Sequence, residues 1–591
     1  MLIPPLPWRS HDSGGHLIMR GSIMRVHTYP KGVSRAIETA QERTPYGLSR
    51  VYDALNAVGE VPWAINKPML AVVERAWAAQ LPICGLPVKY VDQKPQPKST
   101  AKRFRTHHHR HQLQLLLTSQ ETGAERTKRM KGNRLLNKRI RETHSLRCDL
   151  NLKLGVANEF KDELRFYFPH NLDFRGRAYP LHPHLNHMGP DVCRGLLTFA
   201  EARPLGPDGI GWLYVLIANS WGKSIDKMDF EGRRQFAQRN LEAVLDSAER
   251  PLDGHRWWTK GEKPWQLLAA CMEVRDALAS GNPAAYLSRL PVQIDGSCNG
   301  LQHYAALGRD KAGGSAVNLR PAPAPQDVYG EIAVEVNKMV AADAEKGVPE
   351  ALALQGHINR KLVKQTVMTS VYGVTYVGAR QQIQNRLLER GWSNNDQLYR
   401  CASYAARLTL QGLEEKFDKA VGIMRWLGQC ASIVASQGNA VAWHTPLGLP
   451  VLQPYREKYK HVVQTVLQRL ILMQDREGLP VLRRRQKSAF PPNYVHSLDS
   501  THMMMTALAC KQAGIAFAGV HDSFWTHAGD TAVLARKLRE TFVELHSQPL
   551  LAQLLSEMKV RYPELAQKFP PLPETGELDL NEVLDAEYFF G

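Results

Sequence analysis

The sequence has no CxxC pair and no Cys/His run with zinc spacing; its eight cysteines (Cys84, Cys148, Cys193, Cys271, Cys298, Cys401, Cys430 and Cys510) stand singly. That pattern argues against a disulfide framework or a structural zinc and points to a reducing compartment. No apolar run reaches the roughly 18 residues that a membrane-spanning helix needs, so no membrane partner is expected. The opening MLIPPLPWRSHDSGG lacks the apolar core of a signal peptide and any Arg-rich amphipathic pattern, so no targeting segment is read there. Internal repeats are absent as well.

Positive charge is what the sequence has in excess. Lys and Arg number 75 against 57 Asp and Glu, a net +18, which marks a polyanionic partner, nucleic acid first and a membrane surface less specifically. At 591 residues the chain is too long for one hydrophobic core, and several packed subdomains are expected. The surplus is concentrated in residues 94–141, with fourteen Lys or Arg against two Glu. This segment opens with KPQPKSTAKRFRTHHHRH, a solvated insertion in which His107, His108, His109 and His111 read as loop rather than as metal ligands. It continues with ERTKRMKGNRLLNKRIRETHSLR, which has a helical pattern. A solvated face and direct phosphate contact are both open to it. RRRQK at 483–487 is a second dense basic run. Elsewhere helical patterns alternate with short strands, a mixed α/β chain.

Three motifs carry chemistry. In IDGSCNGLQH an apolar strand ends at Asp295, and the small residues that follow allow close approach to the backbone, although Asp before Gly is also a plain turn signal. AFAGVHDSFWTH alternates like a hairpin with His521 and Asp522 at its tip, suited to metal binding or to turn capping. Between them, INRKLVKQTVMTSVYG puts Arg360 and Lys364 one helical turn apart, opposite an apolar stripe of Val363, Val367 and Val371. Two cations without acidic partners suit phosphate. Tyr372 falls about 80° around the helix from Lys364, near enough to border the same cleft.

Asp, then Arg-x-x-x-Lys-x₇-Tyr-Gly, then His-Asp, in this order, resembles the three catalytic motifs of the single-subunit phage-type RNA polymerases. The likeness runs from PPLPW through PHNLDFRGRAYP and PPNYVHSLDS to the terminal EYFFG, and DGSCNGLQHYAALGRD and VKQTVMTSVYGVT look closest to animal mitochondrial members. The resemblance implies transfer of ribonucleotides from rNTPs to an RNA 3′ end on a DNA template with two Mg²⁺ ions. Asp295 and Asp522 would ligate them, with the Gly296 carbonyl as a further oxygen, the hard donor set that magnesium prefers. Lys364 would stabilise the triphosphate and protonate the leaving pyrophosphate, while Arg360 grips the β- and γ-phosphates.

Gly296 leaves the ribose 2′ position open where related DNA polymerases carry a glutamate, and Tyr372 positioned by His496 resembles the pair that senses the 2′-hydroxyl. HDS after Val520, where the DNA enzymes usually have HDE, speaks against that rival too. Tyr329 matches a position near the incoming nucleotide and fits a core tyrosine equally well. Arg175 and Arg177 sit on a tight Gly turn beside Tyr179, suited to the template or hybrid backbone. Arg194 and Lys227 match basic positions near the hybrid and the substrate channel, and either fits a surface charge. Residues 455–487 resemble a specificity loop with DREG at its tip and Arg483, Arg484 and Arg485 for DNA, although LQRLILMQ is apolar enough to pack.

The implied fold is helix-rich mixed α/β, a cupped right hand with an antiparallel palm sheet. Residues 1–69 would be a remnant of an N-terminal region, 70–163 a thumb, 164–322 and 497–591 a divided palm, and 323–496 the fingers. In this family a promoter-opening domain precedes the point where this chain starts, so poor unaided initiation is expected. The resemblance further implies a monomer in the mitochondrial matrix and nucleoid, with DNA template, RNA product and transcription initiation and elongation factors as partners. The alternative is a truncated nucleic-acid-binding form that is catalytically silent or initiation-defective.

Overall fold

The apolar stretch before Asp295 forms the strand Pro291–Asp295, and the alternating pair around His521 forms Ala518–Val520 and Ser523–His527. The three make one antiparallel sheet with Ser523–His527 in the middle, in a register that sets Ser523 opposite Asp295. Ile294 and its partner Phe524 pack into one hydrophobic core, and Trp525 and its partner Ala518 into another. With apolar material on both faces, a one-residue slip would misplace every side chain, so the register is strongly specified.

This computed structural model describes residues 1–18, 21–25, 47–88, 123–371, 373–393, 395–465, 468–475 and 478–591. Among them no sheet exceeds three strands and helices supply most of the chain, which is the helix-rich mixed class expected. The two large cores fit the expectation of several subdomains. One draws chiefly on residues 61–292, and the other joins residues 8–58 to the stretch from Ile294 to Phe590 and includes the helix Arg360–Ser370. No helix among the described residues is long and apolar enough to cross a membrane.

Asn359 starts the helix Arg360–Ser370 by accepting a hydrogen bond from the Leu362 amide at 3.2 Å. Val363, Val367 and Val371 are fully buried, so the apolar stripe faces the core and the Arg360–Lys364 edge faces out of it. Just beyond, Gly373 has φ 75 and its backbone lies so close to the long helix Arg483–Gln512 that a Cβ would sit 2.8 Å from the Ser488 carbonyl. Only glycine tolerates both conditions. Along that long helix the buried run from Phe490 to Ala507 is nearly unbroken, so it forms a central post of the core.

The basic segment with a helical pattern lies in the 38-residue helix Gly123–Phe160, about 57 Å long at 1.5 Å per residue. Only its last third is anchored, by Leu150, Leu154 and Ala157, while the cationic part extends from the body into solvent. The expected insertion upstream, with its four histidines, lies outside the described residues.

The specificity-loop-like stretch differs from expectation in two ways. Lys458–Gln464 and Arg469–Asp475 pair as a hairpin, closed by Thr465 N–H to the Gln468 carbonyl at 2.9 Å. DREG is therefore not the tip: its Asp475 pairs with Lys458 at the opposite end of the ladder. Asp and Gly signal a turn locally, but pairing over seven residues on each strand sets the register. LQRLILMQ is not packed either, since Leu470, Ile471, Leu472 and Met473 are 40–58% exposed.

Candidate active site

His521 and Asp522 form the tight turn between Ala518–Val520 and Ser523–His527; His521 takes φ 59, and the Asp522 amide donates back to the Val520 carbonyl at 2.7 Å. Across the sheet the Gly296 amide donates to the Asp522 carbonyl at 2.9 Å, and the Gly591 amide to the Asp295 carbonyl at 3.1 Å. These backbone bonds fix both aspartates at one end of the sheet, and both line one cleft of about 460 Å³. At Gly296 a Cβ would lie 3.2 Å from the Phe590 ring and 3.3 Å from Gln302 Oε1, so a side chain there would be crowded.

The charges around the two carboxylates are unequal. Lys263 Nζ donates to Asp295 Oδ2 at 3.2 Å. Burial works against ionisation of Asp295, yet Lys263, a Ser523 hydrogen bond and Arg194 together hold it below the usual carboxylate value. Asp522 is pushed up, first by burial and then by the charge of Asp295. Such a split is what two like charges in one cleft produce until cations neutralise them. Arg194 packs over the Trp525 ring at 5.5 Å while its Nε donates to the Gly189 carbonyl at 3.0 Å.

The facing wall comes from the helices Arg360–Ser370 and Val328–Glu345. Arg360 and Lys364 lie 5.4 and 5.7 Å from the ring centre of Tyr329, which is buried yet borders the cleft. Burial, with Arg360 and Lys227 nearby, lowers the Lys364 pKa. Arg360 departs from expectation, because its Nε donates to Asp327 Oδ2 at 2.7 Å and so it does have an acidic partner. That partner is 33 residues away in sequence and invisible to a local reading. Lys364 makes no ion pair among the described residues. Lys227 also lines the cleft, paired with the adjacent Asp226 at 3.2 Å.

Arg175, Arg177 and His496 gather at a second cluster outside that lining. The hairpin His170–Leu172 and Ala178–Pro180 turns at Gly176, φ 101, where a Cβ would meet Ser500 Oγ at 2.9 Å. Arg177 Nε donates to Asp499 Oδ1 at 3.1 Å, and Asp499 is 2% exposed, its pKa raised to about 6 by burial against the pull of Arg177. Arg175 donates to Asp173 Oδ2 at 2.6 Å and to His496 Nδ1 at 2.7 Å. Burial and the two arginines push His496 far down, so its imidazole is neutral and accepts. The ring of Tyr179 packs against His521 at 4.8 Å, joining this cluster to the His521–Asp522 turn.

Arg483, Arg484 and Arg485 are exposed in the first turn of the helix Arg483–Gln512, away from the cleft, with Arg485 stacked on Tyr455 at 4.6 Å. Tyr372 lies outside the described residues. The sequence reading missed Lys263, Asp327 and Asp499 as charge partners, and no local pattern marks them. The C-terminal Gly591 lines the cleft as well, and the terminal EYFFG was noticed only as part of a resemblance.

As a metal site the donor set is coherent. Two carboxylates face one cleft, and among the described residues nothing donates to the Gly296 carbonyl. No three His, Cys, Asp or Glu side chains among those residues cluster closely enough to hold a metal alone. A hard cation that keeps water and phosphate for its remaining positions fits such a set.

Comparison with known proteins bears on the same residues. Residues 203–568 match the family described as DNA-dependent RNA polymerase, and residues 1–60 match DNA-directed RNA polymerase N-terminal, so part of the family's N-terminal region lies within the chain. DNA-directed RNA polymerase 2B, chloroplastic/mitochondrial, of Nicotiana tabacum is 48% identical over 597 residues, covering all of this chain and 56% of that one. DNA-directed RNA polymerase 1, mitochondrial, of Arabidopsis thaliana is 48% identical over 603 residues (100% and 58%), and the chloroplastic polymerase 3 of Nicotiana sylvestris 48% over 598 (100% and 58%). The chain thus spans somewhat more than half the length of these relatives. A solved POL domain of Pol1 from M. smegmatis aligns at TM-score 0.40 and 12% identity over 87% of this chain and 69% of that one, too distant to bear on the fold. With Asp295, Asp522, Arg360 and Lys364 lining one cleft and a family match across most of its length, the chain belongs to the phage-type DNA-dependent RNA polymerase family.

Proposed function

We propose that the chain extends an RNA 3′ end on a DNA template, joining the α-phosphate of an rNTP to the terminal hydroxyl and releasing pyrophosphate. The observation that carries this is the emergence of Asp295 and Asp522 at one end of a single sheet, in a cleft whose far wall presents Lys364 and Arg360. Asp295, Asp522 and the Gly296 carbonyl would hold two Mg²⁺ ions, which when bound lower the pKa of the attacking hydroxyl and neutralise phosphate charge.

The remaining work falls to the chain's own side chains. Arg360, oriented by Asp327, keeps its two terminal nitrogens for the β- and γ-phosphates. Lys364 stabilises the triphosphate and gives a proton from Nζ to the departing pyrophosphate oxygen. Tyr329 floors the nucleotide site beneath these cations, and Lys227 and Arg194 line the substrate and hybrid sides. Tyr372 and His496 read the 2′-hydroxyl, the neutral His496 being set by Arg175. Arg177 acts on the template side through the Asp499 pair that fixes its fork.

On this reading residues 70–163 form a thumb, 164–322 and 497–591 the palm, and 323–496 the fingers, with the exposed hairpin and Arg483 to Arg485 reaching DNA. The protein works as a monomer in an organelle. The mitochondrion, its matrix and nucleoid, and its initiation and elongation factors follow from the resemblance, while relatives named for chloroplasts offer a second compartment.

The test is extension of an RNA primer on a DNA template by the purified chain with Mg²⁺ and rNTPs. Synthesis that Asp522→Asn abolishes supports the proposal, and no synthesis by the intact chain would favour the catalytically silent form. Promoter run-off without other proteins is expected to be much weaker than primed extension.

A further inference from the structure

Lys263 is a charged side chain of the cleft to which the proposed chemistry gives no role. It precedes the helix Pro264–Ala279, whose first turn is held rigidly: the Lys263 amide donates to the Ser220 carbonyl at 3.0 Å, and the Trp265 and Gln266 amides donate to Asp191 at 2.8 and 3.2 Å. From this fixed base the side chain reaches Asp295 Oδ2 at 3.2 Å. Both partners are open to the cleft, with side chains 35% and 47% exposed, so the ion pair lies where a cation from solution would arrive. Asp295 is one of the two carboxylates that the proposed reading assigns to the metals, and one of its oxygens is occupied.

We propose that Lys263 is a tethered competitor for the divalent cation at Asp295: in the free protein its ammonium neutralises the carboxylate, and a metal ion displaces it. The inference rests on the two-metal reading of Asp295 and Asp522. Two physical terms give it content. A half-exposed Lys–Asp pair is weak, so it yields to a dication. A positive charge retained a few ångströms from the metal position nevertheless repels the incoming ion. Metal affinity is therefore reduced in the free cleft. The flexible four-carbon stem lets the ammonium turn to a triphosphate oxygen once the cleft is loaded, which couples metal uptake to nucleotide entry.

The probe is Mn²⁺ alone, titrated into the whole chain without nucleotide and followed calorimetrically and by the electron paramagnetic resonance signal of free Mn²⁺. Lys263→Met keeps the apolar stem and removes the charge, and it should tighten Mn²⁺ binding roughly five- to tenfold. Lys263→Arg should bind like the parent. Lys223→Met, which removes a charge stacked on Trp221 on the neighbouring loop, should also leave binding unchanged. Unchanged or weaker binding in Lys263→Met, with binding still abolished by Asp522→Asn, overturns the role of Lys263 and leaves the two-metal reading intact. Equal tightening by Lys223→Met overturns it too, because net charge alone would then account for the effect. Mn²⁺ binding that Asp522→Asn does not alter overturns the two-metal reading and this inference with it. If Lys263→Met proves unstable, Lys263→Gln gives the same comparison, and the midpoint of thermal unfolding shows which variant is fit for titration.

Discussion

The cations inside the cleft and its flank differ from those on the outer surface less in number than in company. Inside, Arg177 is held by Asp499, Arg360 by Asp327, Lys263 by Asp295 and Arg194 by the Gly189 carbonyl. Outside, Arg483, Arg484, Arg485 and the projecting part of the helix Gly123–Phe160 face water, with only sparse ion pairs such as Lys138–Glu142 among the described residues. A charge in a partly buried wall is costly unless a partner compensates it, and that partner also fixes its rotamer. A charge in water needs no such support and stays available to a phosphate from any direction. Lys364 is the exception within the cleft: it lines the wall beside Arg360 and has no ion pair among the described residues, which on the proposed reading leaves it for an anionic substrate.

The sharpest way to break this comparison is Lys364→Ala. It should slow primer extension by about a hundredfold to a thousandfold without shifting the denaturation midpoint, and full incorporation would return Lys364 to the surface group. Arg177→Met tests the inner group by stability instead. It strands Asp499 in a site where that carboxylate is 2% exposed, and urea denaturation should register a loss of about 3 kcal/mol. A variant that kept its stability and lost only DNA affinity would move Arg177 to the outer group. Replacing Arg483, Arg484 and Arg485 together by Ala should leave stability alone and make the salt dependence of DNA binding shallower, by about two to three in a log–log plot. An unchanged slope would mean that these residues do not meet phosphate.

Much of the site was legible because its motifs are local. An apolar strand ending in Asp295, a hairpin carrying Asp522 and a helix with Arg360 and Lys364 opposite three valines are short-range patterns, and each forms as read. What could not be read was the company these residues keep. Asp327, Asp499 and Lys263 look like ordinary surface charges in sequence, since the residues they pair with are 33, 322 and 32 positions away. The hairpin misled in the opposite sense. DREG has the composition of a turn, but strand pairing sets its Asp475 opposite Lys458, at the end of the ladder away from the Gln464–Arg469 pair, and leaves an apolar strand exposed.

Periodicity, turn chemistry and charge thus determined which side chains can do chemistry and on which elements they stand, because those properties act within a few residues along the chain. Only the tertiary structure decided which of them meet. Backbone bonds from Gly296 to Asp522 and from Gly591 to Asp295 gather three distant segments at one end of a sheet, and ion pairs fix which cations are spoken for and which remain for a ligand. The reason is physical: covering both faces of that sheet takes two cores assembled from residues hundreds of positions apart, and no local pattern encodes that assembly.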